Sequence, residues 1–159
     1  VGKSLDVRRE MERIRQEHES AVSTYTQQQA RVQAIQRDTR AQLENTLSWC
    51  ARQWAAADPH LQVGPSPDAN PGFIIRFRDS VQPPEFIVST NCQGEHVQVI
   101  VKDGHWRQTP NVFDKFADWM DQREVFNGKF DAQQVEAALA ETYLSWYQEA
   151  LRLRDGMKP

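Results

Sequence analysis

Residues 11–35 read MERIRQEHESAVSTYTQQQARVQAI, and the fold depends on what this stretch packs against. Met11, Ile14, His18, Ala21, Tyr25, Gln28, Val32 and Ile35 fall at the a and d positions of a heptad frame, the pattern of a helix that presents a seam to another helix. The seam is weak at its centre, where Ser20 to Val32 (SAVSTYTQQQARV) carries no charge before Arg31. Ser, Thr and Gln there neither repel nor strongly attract, so backbone propensity and a few a/d contacts must hold the helix. Such a segment suits an adjustable pairing. Arg8/Glu12, Arg13/Glu17 and Arg15/Glu19 flank it as i,i+4 pairs in the less favourable Arg-first order.

Outward from this stretch the helix continues in both directions. From Lys3 to Asp58 there is neither Gly nor Pro; Ser4 is a plausible N-cap, Asp6 suits the first turn, and Asp58-Pro59 supplies the stop. A helix over residues 1–58 would span roughly 80 Å at 1.5 Å per residue, more than a small head can cover. Beyond Ile35 the apolar residues are Leu43, Leu47, Cys50 and Trp54, and the 11-residue step from Val32 to Leu43 moves the stripe to another face. Residues 11–35 are therefore expected to pair with a second copy of the chain, and residues 43–54 to dock on its own head.

Residues 59–72, PHLQVGPSPDANPG, read as a linker. Three strand-like runs follow, Phe73 to Arg78, Glu85 to Thr90 and His96 to Lys102, with turns near Pro83-Pro84 and Gln93-Gly94. Alternation places Phe73, Ile75, Phe77, Phe86, Val88, Val97, Val99 and Val101 on a core face. Ile74, Ile87 and Ile100 fall on the other, which is expected to be partly covered by the long helix or by another molecule. Thr109-Pro110 opens an apparent helix with Val112, Phe113, Phe116, Trp119 and Met120 on one side. VFNGKF (125–130) reads as a helix-to-helix turn or a small Asn-Gly hairpin, and Asp131 with Gln134 as a capping box for a last helix ending near Arg154. The expected class is α+β: a long coiled-coil-like N-terminal helix, then a head over 73–159 with a three-stranded antiparallel meander and two C-terminal helices.

Composition narrows the chemistry. The chain of 159 residues carries a net charge of −3, with 9 Lys/Arg against 7 Asp/Glu in residues 1–57 and 10 against 15 in the rest. An acidic head disfavours broad phosphate-backbone binding. No apolar run approaches the roughly 18 residues of a membrane span, and no signal-peptide pattern occurs. The two cysteines, Cys50 and Cys92, are expected to be reduced and buried, with a single disulfide as the alternative. Together these features lead us to expect a soluble, cytoplasmic protein with no membrane insertion, a processed or excised product because it starts at Val1 rather than Met.

No catalytic signature emerges. Asp114, Asp118 and Asp121 would share one helical face, which is the ordinary solvated side of such a helix. Cys92 and His96 form a lone C-x3-H pair, and His105 lies too far along the same strand to join it on one ion. Cys92 as a nucleophile with His96 or His105 lacks a third group to orient the base. The Val1-Gly-Lys-Ser start lacks the rest of a phosphate loop. Arg76, Arg78, Lys102 and Trp106 could form a nucleic-acid surface, but the strand aromatics lie on the core face. His18 at an a position could make pairing pH-sensitive. Trp49, Trp54, Trp119 and Trp146 are expected to anchor helix to head, leaving Trp106, Phe126 and the isoleucine face as candidate partner contacts. The expectation is a non-enzymatic adaptor or assembly subunit without cofactor or metal. It would be homo-oligomeric through residues 11–35, with a head that docks another protein. A nucleic-acid-binding accessory factor is the alternative, and a metal- or cysteine-dependent enzyme a weaker one.

Overall fold

A computed structural model describes residues 2–79, 84–108 and 116–156, with side chains over 6–79, 84–103 and 122–156. Helix α1 runs from Gly2 to Ala56. It ends where Pro59 cannot continue the ladder, and the chain turns through hydrogen bonds from Asp58 N to Ala55 O and from Leu61 N to Asp58 O. Strands β1 (Leu61–Gly64), β2 (Phe73–Phe77), β3 (Phe86–Gln93), β4 (His96–Gln108) and β5 (Phe116–Lys129) follow, then helix α2 (Ala132–Arg154). The strands form one antiparallel meander in the order β1-β2-β3-β4-β5. The molecule is thus α+β, with five strands and one C-terminal helix among the described residues, where three strands and two C-terminal helices were expected.

Two local readings account for the difference. The Pro/Gly-rich segment 59–72 is not a plain linker: LQVG pairs with β2, Leu61 opposite Phe77, and adds an edge strand. The loop after it is fastened as well. Asp68 Oδ1 accepts from Asn70 N, Arg40 of α1 donates to Ala69 O at 2.7 Å, and Thr90 donates to Pro71 O. At Gly72 a Cβ would stand 2.3 Å from the Val88 carbonyl oxygen, so glycine alone permits this approach to β3.

Residues 116–121 account for the other part of the difference. Apolar residues at 113, 116, 119 and 120 mimic a helical face, yet Phe116 to Lys129 pairs with β4 from Gln108 back to His96. Long-range pairing overrides the local period because β4 is itself much longer than the run 96–102. The register shifts between Val99 and Ile100, which face Phe126 and Glu124, so Val125 bulges out of the ladder. Asn127-Gly128 lies in the ladder opposite Gln98 and Val97 and forms no hairpin. The tight turn is instead Gly94-Glu95, where Gly94 takes φ 60° between the paired Gln93 and His96. Val112, Phe113 and Thr109-Pro110 lie outside the described residues.

Both helices cover one face of the sheet. Leu43, Leu47 and Ala51 of α1 and Val135, Leu139, Tyr143 and Trp146 of α2 join the eight strand residues expected on the core face in a single buried cluster. Aromatic rings tie the layers: Trp54 stacks on Tyr143 with centroids 4.7 Å apart, and Phe86 meets Trp146 at 5.7 Å. Trp146 also donates its indole N–H to Pro84 O at 2.8 Å. Trp49 takes no part in this anchoring and is 45% exposed, while the Trp119 side chain lies outside the described residues. Helix α2 begins as its capping signal implied, with Asp131 accepting from Gln134 N.

Candidate interaction surfaces

The largest uncovered feature is the first part of α1. From Asp6 to Asp38 every residue is exposed, and burial begins at Thr39. Met11, Ile14, Tyr25, Val32 and Ile35 are 43% to 65% exposed, as are Val7 and Val22, which the heptad frame from Met11 did not include. Extending that frame one step backwards would have placed Val7 at d; Val22 falls at e, beside the seam. His18, Ala21 and Gln28 are exposed in the same row. Polar residues of this segment satisfy themselves locally: Arg13 bonds Glu10 and Glu17 at 2.7 Å and 2.8 Å, and Thr24 and Thr26 bond back to Ser20 O and Val22 O. Those back-bonds answer part of the puzzle of the polar belt, since they keep hydroxyls occupied without a tertiary partner.

Attachment of helix to head starts abruptly. Gln36 donates to Cys92 O at 3.5 Å, Arg40 reaches Ala69 O, Thr39 is 7% exposed, and Leu43 and Leu47 are fully buried. The helix then ends on a polar lock at its other side. Asp58 Oδ2 accepts from Tyr147 Oη at 2.6 Å, and Asp58 Oδ1 accepts from His60 N at 2.9 Å with His60 Nδ1 at 3.3 Å. Burial opposes ionisation of Asp58, but the hydrogen bonds from Tyr147 and His60 outweigh it and lower its pKa. The same bond, with burial, pushes Tyr147 up to about 12. Sequence reading took Asp58 only as a helix stop, because its partner lies 89 residues away. Beside this lock a cleft of about 310 Å³ opens between the helices, lined by Trp54, Asp58, Tyr143, Leu144 and Tyr147 among others.

The outer face of the sheet is the second surface. Ile74 stands opposite Ile87, and Ile100, opposite Ser89, lies diagonal to Ile87. All three are half-buried, and among the described residues the buried side chains of both helices join the core on the opposite face. Phe126 is not on this face: it packs half-buried against the core. Trp106 lies in β4 opposite Asp118, and its side chain is outside the described residues. The cations of this face are partly engaged: Arg76 lies 3.9 Å from Glu85, and Arg78 donates to Leu61 O at 3.0 Å.

The chemical candidates do not converge. Residues 116–121 are strand, so no helix gathers Asp118 and Asp121 on one face, and Asp114 lies outside the described residues. His96 bonds Asn127 rather than meeting Cys92, whose Sγ contacts Gly94 O. No group of three or more His, Cys, Asp or Glu fit to hold a metal ion occurs among the described residues. Both cysteines are free thiols; burial, reinforced by Glu136, pushes Cys50 up to about 12, and burial also raises Cys92 against the opposing charge of Arg40. Asp103 is buried at 1% exposure and takes a hydrogen bond from Arg123 on Oδ2, while Oδ1 has no partner among the described residues. Among those residues, no helix is long and apolar enough to cross a membrane. Comparison with protein families, with curated proteins and with solved structures finds no match.

Proposed function

We propose that the chain is an assembly subunit or adaptor: it self-associates through the exposed part of α1 and holds a protein partner with its α+β head. One observation carries this reading. Residues Asp6 to Asp38 form about 50 Å of helix at 1.5 Å per residue, every one of them exposed among the described residues, and they display a row of apolar side chains. A lone amphipathic helix gains little from propensity, and most helical stability comes from packing the apolar face. A second copy offers the same row and is always present at matching concentration. For the head, the three isoleucines on the outer sheet face supply an apolar patch rimmed by Arg76, Lys102 and Glu124.

Light scattering across a concentration series tests the self-association. The full chain is expected to approach twice its monomer mass of 18.4 kDa or more, and Ile14→Glu/Val32→Glu to stay monomeric with an unchanged head. A wild-type chain that remains monomeric at all concentrations would sink the reading.

A further inference from the structure

We infer that two copies pair antiparallel through α1, each helix crossing the other's exposed segment about a midpoint at Ser23. The inference rests on the self-association proposed above and adds its direction and register. The exposed segment runs from Asp6 to Asp38, so an antiparallel pairing close to its middle overlaps nearly all of it and ends on each side where a head begins at Thr39.

The side chains favour this register. In an antiparallel pair, a positions meet d positions across the seam. Centring on Ser23 sets Met11 opposite Ile35 of the second copy and Ile14 opposite its Val32, giving apolar layers near both ends. His18 then meets Gln28, so one polar layer faces another and the imidazole gains an amide to bond. At the centre Tyr25 packs over Ala21, large against small, and Val22 approaches its own copy from the flanking e position. Outside the seam, Glu17 and Arg31 both occupy g positions and fall opposite one another twice, while Glu10 opposite Asp38 works against the pairing at the ends.

The alternatives fit less well. Parallel in-register pairing stacks Tyr25 on Tyr25 one layer from Ala21 on Ala21, overfilled beside underfilled, and brings His18 onto His18. An antiparallel shift of one heptad sets Gln28 against Met11 and His18 against Ala21, which buries polar groups without partners. The Ser/Thr/Gln belt acquires a role in this arrangement: its neutral flanks let the two central turns cross without like charges meeting, and His18 with Gln28 fixes the register at some expense in affinity.

The test is oxidative cross-linking of the full-length Ile14→Cys/Val32→Cys variant, with linked peptides identified by mass spectrometry in the dimer-mass band. Both sites are exposed, so the head should fold unchanged. Expected are links from residue 14 of one chain to residue 32 of the other, with 14–14 and 32–32 links at background. Positions 14 and 32 lie about 27 Å apart along one straight helix, so like-to-like links cannot form in the antiparallel pair. Dominant 14–14 and 32–32 links would overturn the antiparallel arrangement while leaving self-association standing. Absence of any dimer-mass link, together with a monomeric wild-type mass, would overturn both.

Discussion

Two halves of one helix carry apolar residues at helical spacing, and they have opposite fates. From Thr39 to Ala56 the stripe Leu43, Leu47, Ala51 and Trp54 lies in or against the core; from Asp6 to Asp38 the stripe Met11, Ile14, Tyr25, Val32 and Ile35 stands in solvent. Both are continuous helix without Gly or Pro, so helix propensity does not separate them. The difference is whether the chain provides a surface opposite, and the sheet ends beside Gln36, where the β3 carbonyl of Cys92 takes its last contact. Amphipathicity in a sequence thus reports that a face wants cover, and leaves the source of cover open.

The comparison breaks first under alanine substitution. Leu43→Ala opens a cavity beneath a fully buried side chain and should cost about 2–5 kcal/mol in urea unfolding. Ile14→Ala removes a side chain 56% exposed in the single chain, and at concentrations where the protein is monomeric it should change stability by no more than about 0.5 kcal/mol. At high concentration the contrast narrows, because a wild-type midpoint that rises with concentration would rise less in Ile14→Ala. Equal costs for both substitutions in dilute monomer would mean that the exposed half is covered by its own chain.

Next in size is the lock that closes the docked half. Tyr147→Phe removes the hydrogen bond to Asp58 Oδ2 and leaves a buried carboxylate oxygen without that donor, an expected loss of about 1–3 kcal/mol. The pH dependence has a definite sign. Asp58 has a lowered pKa in the folded state, so its contribution is present above the ordinary carboxylate range and disappears as pH falls through the lowered value. Tyr147 has a raised pKa, so its contribution is intact below about 10, the usual tyrosine value, and disappears as pH rises towards about 12. In Tyr147→Phe, acid unfolding followed by circular dichroism should therefore begin at higher pH and the alkaline limb should flatten. An unshifted acid limb would leave the lock without a stabilising role.

These features were unevenly legible in the sequence. Strict alternation exposed β2, β3 and the start of β4, and the Asp131 cap with its apolar spacing exposed α2. Strand β5 was hidden because FADWM satisfies a helical period as readily as an extended one, and only the long ladder with β4 decides between them. Strand β1 was hidden because its four residues sit among prolines and depend on β2 for their pairing. Of the candidate contacts, the helix row and the three isoleucines could be read from spacing alone. The inward turn of Phe126 could not, since the bulge at Val125 shifts the phase of everything after it.

The smallest expected effect sharpens where the interface lies. Arg13 occupies a c position, away from the a/d row, and its ion pairs with Glu10 and Glu17 join side chains that are all more than half exposed. Pairs of this kind contribute about 0.3–0.5 kcal/mol on a helix surface. Arg13→Gln should therefore lower helicity slightly, shift the unfolding midpoint within that range, and leave the molar-mass profile unchanged, because no a/d layer involves it. If the substitution instead dissociates the assembly, the second copy must lie against the c-side of α1. The apolar row would then have been the wrong guide to the face, even though self-association itself was correct.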